Sequence, residues 1–167
     1  MADGPRKAAA EQFVDVAERF CRLIDRRADV KPGAFLDSAQ RLLPELYATG
    51  IALRQGERSD AEYPASADLW QPIYVDLQEK LGRWDVHWEV YHPYRVDPTD
   101  PVAGSLADDL ASIYQDLQRG LAIWSLRTPK ARRDAVWEWR LNFEIHWGHH
   151  VLDALRALHA RRFDLLD

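Results

Sequence analysis

The stretch WEWRLNFEIHWGHHVLDALRALH, residues 137–159, decides the fold class of this chain. It holds four of the six histidines and three of the seven tryptophans. When successive residues are placed 100° apart around a helix axis, the apolar side chains gather on one side. This apolar arc contains Val136, Trp137, Trp139, Leu141, Phe143, Trp147, Val151, Leu152, Ala154, Leu155, Ala157 and Leu158. The arc covers more than half the circumference, so we expect one long helix in the middle of a bundle.

Apolar residues recur at helical spacing in five segments, and prolines and glycines separate these segments. Pro44 lies inside the second segment and removes a backbone hydrogen bond, so we expect a kink or a break there. The predicted N-caps of the last three segments are Ser66, Ser105 and Thr128. The pattern predicts an all-α fold, a single-domain bundle of about five helices over residues 1–167 with its core at about residues 8–161.

The composition excludes several classes of protein. The 22 Lys+Arg and 27 Asp+Glu give a net charge of −5, and basic residues occur only in short pairs. Nucleic-acid binding needs a basic stripe, so we expect no nucleic-acid partner. No segment reaches the roughly 20 apolar residues of a membrane span, and the N-terminus lacks the apolar region of a secretory signal. With Cys21 as the single cysteine, we expect a cytoplasmic protein without membrane contact.

Residues 83–104 form a predicted irregular crossover before the fourth helix. Trp84, Val86 and Trp88 alternate with polar residues, which is the period of a strand. A lone strand has no partner in an all-helical chain, so we expect an extended segment rather than a sheet. Its aromatic side chains either cover the core or leave apolar surface for a protein partner, and they are Trp84, Trp88, Tyr91 and Tyr94.

Two charged residues fall inside the apolar arc of the last helix. Arg140 and Glu144 are four residues apart, so their side chains can meet. An unpaired charge in such a position is costly. The pair therefore either fixes the helix register as an ion pair or lines a polar pocket together with Tyr114. The second alternative predicts that a small ligand binds within the bundle.

Histidine and aspartate residues lie on the narrow polar side of the same helix. His146, His150 and Asp153 are spaced by four and by three residues, so one metal ion can contact all three. Asp109 and Asp116, seven residues apart on the fourth helix, can face them from a neighbouring helix. The same histidines can instead be solvated or hydrogen-bonded at a helix edge. A divalent metal site or a hydrolytic site is thus one alternative, and we expect no other cofactor.

Two motifs and the crossover together resemble a known family. The motifs are GSLADDLASIYQDLQRGL, residues 104–121, and AVWEWRLNFEIHWGHHVLDALRALH, residues 135–159, and WEVYHP precedes them at residues 88–93. They resemble bacterial proteins that carry domain of unknown function 5063, over roughly residues 35–160. The resemblance implies a compact helical domain. Because the family has no established activity, the resemblance transfers no catalytic residue.

The leading functional hypothesis is a non-enzymatic adaptor or regulatory domain that binds another protein or a second copy of itself. It rests on the acidic net charge, the absence of catalytic motifs and the aromatic crossover. The alternatives are a metal-binding or hydrolytic enzyme that uses the histidines and aspartates, and a small-ligand site at Arg140 and Glu144. Each alternative requires a particular arrangement of neighbouring helices.

Overall fold

The structure is a computed structural model that describes residues 3–54, 56–64, 67–89 and 101–163. Most of this part of the chain is helical, so the predicted helical bundle is confirmed. None of the helices in these ranges is long and apolar enough to cross a bilayer. The elements are α1 (Asp3–Asp25), α2 (Pro32–Ala52), α3 (Trp70–Leu81), β1 (Val86–Glu89), β2 (Val102–Ser105), α4 (Leu106–Trp124), α5 (Pro129–Ile145) and α6 (Trp147–Phe163), with short 3-10 turns at Arg27–Asp29 and Gly82–Trp84.

Helix α4 lies at the centre of the bundle, where it packs against α1, α3, α5 and α6. Its N-cap is Ser105, whose hydroxyl accepts a hydrogen bond from the Asp108 N–H at 3.2 Å. Thr128 caps α5 in the same way, and Pro129 follows it at the first helical position. Both predicted caps are confirmed, whereas Ser66 lies outside the described residues. Because α4 packs against four other helices, it is the central helix of the bundle, and the last helix of the chain is not.

Helix α2 continues through Pro44 without a break. Pro44 is exposed, whereas Leu42, Leu43 and Leu46 of the same turns are buried in the core. Each buried leucine contributes about 1.5–3 kcal/mol, and together they outweigh the roughly 3 kcal/mol that an internal proline costs. Of the predicted kink or break at Pro44, the break is therefore wrong.

The segment from Pro129 to Phe163 forms two helices, so the prediction of one long last helix is wrong. Helical conformation ends at His146, whose backbone has φ −144° and ψ −89°. Gly148 lies against the end of α5, since a Cβ there would be 2.2 Å from the carbonyl oxygen of Phe143. The wide apolar arc is the sum of two narrower faces, which bury Ala131, Ala135, Trp139 and Phe143 on α5 and Trp147, Val151, Ala154 and Leu158 on α6.

The crossover contains a small antiparallel sheet. Strand β1 pairs with β2, with Val86 opposite Ser105 and Trp88 opposite Ala103. The prediction that this strand has no partner is therefore wrong, because its partner comes from the end of the same segment. We call this pair of strands the ribbon. Residues 90–100, which include Tyr91 and Tyr94, lie outside the described residues.

Candidate functional site

The ribbon is fixed to the N-terminus of α4 by Asp85, a residue that is 3% exposed. Its Oδ1 atom accepts hydrogen bonds from the Ser105 hydroxyl and from the Ala107 N–H, both at 2.8 Å. Its carbonyl oxygen accepts a third from the Leu106 N–H at 2.8 Å. The free N–H groups at a helix N-terminus favour a carboxylate. The ribbon and α4 are therefore joined as one rigid unit.

The inward face of β1 carries His87 and Glu89. The Nε2 atom of His87 lies 3.7 Å from Asp109 Oδ2 and 3.8 Å from Glu89 Oε2. Gly104 lies opposite His87 in the ribbon, and a Cβ at Gly104 would be only 2.7 Å from His87 Nε2. A glycine at this position therefore leaves room for His87 to reach Asp109. His87 and Glu89 were not among the predicted site residues, although the alternation of β1 places both on one face of the strand.

Asp109 is buried, with a side chain 5% exposed. Its Oδ1 atom is hydrogen-bonded to His150 Nδ1 at 2.8 Å. Within the described part of the chain, its Oδ2 atom and both ring nitrogens of His87 have no hydrogen-bond partner. Burial raises the pKa of Asp109 from 3.8 to about 6, although His150 and His87 oppose this rise. The carboxyl group therefore titrates near neutral pH.

A second imidazole–carboxylate pair lies beside the first. His146 Nδ1 is hydrogen-bonded to Asp116 Oδ2 at 2.7 Å, and the rings of His146 and His150 are in edge contact at 4.9 Å. Burial lowers the pKa of His150, but the hydrogen bond and the charge of Asp109 outweigh this effect and the net pKa is raised. We call His87, Asp109, Asp116, His146 and His150 together the histidine–aspartate network.

The structure places four of the five residues of the predicted metal site in this network. One pair joins α4 to α6, and the other joins α4 to His146 at the junction of α5 and α6. The fifth, Asp153, is half-buried on α6 and adds negative charge near Asp109 and His150. Among the residues that the structure describes, no group of three or more His, Cys, Asp or Glu side chains is arranged to hold a metal ion. The network is an arrangement of hydrogen-bonded pairs rather than a convergent set of ligands.

The predicted polar cluster of Arg140, Glu144 and Tyr114 is not brought together. Arg140 pairs with Glu144 at 2.7 Å, and the Glu144 side chain is 45% exposed. Arg140 also donates to the carbonyl oxygen of Ile51 in the last turn of α2 at 3.2 Å. Tyr114 instead donates to Asp25 on α1 at 2.5 Å. Arg140 thus joins α5 to α2, and its partner Glu144 lies at the surface.

The outward face of the ribbon is apolar and exposed. Trp88 is 66% exposed and Val86 is 64% exposed, and Ala103 lies beside Trp88 on the paired strand. We call these three residues the outer ribbon face. Trp84 is half-buried against the core and has the Arg83 guanidinium 4.5 Å from its ring. Of the two predicted surface aromatics that lie in the described ranges, Trp88 is therefore exposed and Trp84 is half-buried.

The sequence model of a protein family, the domain of unknown function DUF5063, matches residues 6–164. The chain belongs to the DUF5063 family. The crystal structure of protein BF1032 from Bacteroides fragilis, a Northeast Structural Genomics Consortium target, is similar to this DUF5063 chain at 24% identity and a TM-score of 0.78. The likeness covers 92% of this chain and 91% of the other, and at this identity it shows the fold alone. None of the curated proteins matches the chain.

Proposed function

We propose that this DUF5063 chain is a protein-binding domain whose contact surface is the outer ribbon face. The observation that carries the proposal is the exposure of Trp88 beside Val86 on a two-stranded ribbon. Tryptophan is enriched among the residues that dominate binding energy, where its loss costs about 2 kcal/mol or more. A partner with an apolar surface covers these side chains and removes them from water.

The attachment of the ribbon to α4 supports this function. Asp85 holds the ribbon to α4, and His87 extends from its inner face toward Asp109. A surface that is already held in one conformation loses less entropy when a partner binds. The net charge of −5 disfavours contact between two copies of the chain, so we propose a different protein as the partner.

A photo-crosslinking experiment tests the proposal in cells that produce the protein. The crosslinking amino acid replaces Val86 in one variant and Val75 of α3, which is 52% exposed, in a matched control. We expect a discrete adduct from position 86 and none from position 75. Adding Trp88→Ser to the position-86 variant should abolish the adduct, and circular dichroism should show unchanged helicity.

Equal adducts from positions 86 and 75 contradict the proposal, and so does an adduct that survives Trp88→Ser. An adduct at twice the chain mass of 19.3 kDa contradicts a separate partner and identifies a second copy instead.

A second candidate function is acid–base catalysis by the Asp109 and His150 pair. The observation that favours it is their 2.8 Å hydrogen bond, because a buried carboxylate orients and stabilises a catalytic imidazole in hydrolases. Among the described residues, however, no serine, threonine or cysteine is hydrogen-bonded to His150. The protein-binding function therefore has the stronger support. Labelling by a reactive carbamate or phosphonate probe that His150→Gln abolishes would favour catalysis instead.

A further inference from the structure

A cleft with a volume of about 250 Å³ opens between α4, α5 and the loop of residues 56–64. It lies beside Arg119, Ile123 and Leu126, toward the opposite end of α4 from the ribbon. Its walls are apolar except for three charged side chains and a tyrosine. The residues that matter for its chemistry are Arg58, Tyr63, Arg119, Ile123, Leu126 and Glu138.

The loop wall of this cleft is fixed by Asp134, which is fully buried on α5. Asp134 accepts hydrogen bonds from the Ser59 N–H at 2.8 Å, from the Ser59 hydroxyl and from the Tyr63 hydroxyl at 2.6 Å. Lys130 adds an ion pair with Asp60 at 2.6 Å. These bonds attach the loop to a helix of the core, so the cleft is formed before a ligand arrives.

The charges in the cleft do not balance. Glu138 is 7% exposed, and two guanidinium groups converge on its carboxylate. Arg58 Nη2 lies 3.8 Å from Oε1, and Arg119 Nε lies 3.9 Å from Oε2. Both distances exceed the 2.7–3.2 Å of an N–H···O hydrogen bond. Among the side chains that line the cleft, two cations and one anion leave a surplus of one positive charge.

Both guanidinium groups keep donor capacity toward the cleft. Their side chains are 45% and 54% exposed, for Arg58 and Arg119 respectively. Within the described part of the chain, neither donates a hydrogen bond to a protein acceptor. Arg58 also lies over the ring of Trp137 at 5.4 Å, which restricts where its guanidinium plane can move. The cleft thus presents two oriented donors above an apolar floor.

We propose that this cleft binds a small organic carboxylate, with the carboxylate between Arg58 and Arg119 and the apolar body against Ile123 and Leu126. A planar carboxylate fits the fork of a guanidinium group, and a single negative charge matches the surplus charge of the cleft. The volume of about 250 Å³ is slightly smaller than that of pockets for drug-sized molecules, which suits a ligand of a few carbon atoms. This site is separate from the outer ribbon face and does not depend on the protein-binding function.

Isothermal titration calorimetry with hexanoate, acetate and hexanamide tests the proposal on the full chain. We expect hexanoate to bind more tightly than acetate, by about fourfold for each CH₂ group that becomes buried. The neutral hexanamide, which has nearly the same shape, should bind at least about tenfold more weakly than hexanoate. Equal binding of hexanoate and hexanamide would overturn the proposal, and so would tighter binding of inorganic phosphate.

Three variants separate this site from a purely structural role of the charges. Arg119→Gln should weaken hexanoate binding about tenfold, whereas Arg41→Gln, an exposed arginine of α2, should leave it unchanged. Glu138→Gln removes the anion that competes for both guanidinium groups, so it should tighten binding. If neither the original chain nor the Glu138→Gln variant binds hexanoate while circular dichroism shows both folded, the proposal is wrong.

Discussion

Two buried tryptophans join three helices through their ring N–H groups. Trp139 and Trp147 are fully buried. The Trp139 ring N–H donates to the carbonyl oxygen of Leu117 on α4 at 3.3 Å, and that of Trp147 donates to the carbonyl oxygen of Trp139 at 3.1 Å. A buried donor without a partner costs about 1–3 kcal/mol, and here both donors are satisfied. The indoles therefore add apolar burial without an unpaired polar group.

Gly120 permits the close contact between α4 and Trp139. A Cβ at position 120 would be 2.0 Å from the Trp139 ring nitrogen. We predict that Gly120→Ala lowers the free energy of unfolding by about 1–2 kcal/mol, because overpacking outweighs the gain in helix propensity. The matched control is Gly33→Ala in α2, where no atom lies within 4 Å of the added Cβ, and we expect it to be neutral or stabilising. Urea unfolding measures both, and equal midpoints for the two variants would contradict the prediction.

At the scale of elements, the structural features that depend on nearby residues were predicted from the sequence. The Ser105 and Thr128 caps depend on residues three positions away, so the sequence contains everything that they need. The spacing of Asp109 and Asp116 likewise placed them on one side of a helix. Family resemblance was confirmed over residues 6–164.

The strand pairing of the ribbon and the end of α5 were not predicted. The partner strand of β1 begins at Val102. The position of the His87 side chain beside Gly104 depends on the absence of a side chain at Gly104. The end of α5 at His146 depends on the contact of Gly148 with Phe143, which a periodicity of 100° per residue does not contain. The apolar residues that predicted one central helix with a wide apolar arc therefore lie on two helices, α5 and α6.

The ribbon is held to the bundle by contacts that one substitution can test. A Cβ at Gly104 would be 2.7 Å from His87 Nε2 and 3.0 Å from the Glu89 carboxyl carbon. Both neighbours are ends of flexible side chains, so they can move away. We predict that Gly104→Val displaces His87 from Asp109 and speeds hydrogen exchange of the backbone amides of 86–89 and 102–105. Because few core contacts change, the free energy of unfolding should fall by no more than about 1 kcal/mol.

The matched control for this prediction is Ala103→Val, which points to the exposed side of the same strand. A β-branched residue is favourable in a strand, so exchange in this variant should be unchanged or slower. Faster exchange in both variants would show that strand geometry, and not His87, holds the ribbon.

At the scale of the whole molecule, opposing groups set the pH of greatest stability. Asp109 has its pKa raised from 3.8 to about 6 by burial, and His150 has its pKa raised from 6.5 by Asp109. For Asp134, burial raises the pKa, but the hydrogen bonds from Ser59 and Tyr63 outweigh it and the net pKa is lowered. The first two groups bind protons more tightly in the folded chain, and the third binds them less tightly.

The sign of the pH dependence follows from linkage. Between about pH 4 and pH 6 the folded chain holds a proton on Asp109 that the unfolded chain has released, so the free energy of unfolding falls as the pH rises. From about pH 6.5 upward the same holds for the proton on His150, which extends the decline. Below about pH 4, Asp134 gains a proton more readily in the unfolded chain, and stability falls as the pH falls. We therefore predict greatest stability near pH 4.

Urea unfolding between pH 3.5 and pH 8.5 measures this curve, and two variants assign its two sides. Asp109→Asn removes the carboxyl group that accepts a proton near pH 6, so it should flatten the decline between about pH 4 and pH 6 and leave the acid side unchanged. Asp134→Asn should lower stability at neutral pH, where three hydrogen bonds lose a charged acceptor, and should flatten the acid side instead. If the decline above pH 4 survives Asp109→Asn at full slope, Asp109 does not govern it, because asparagine at position 109 has no carboxyl proton to release.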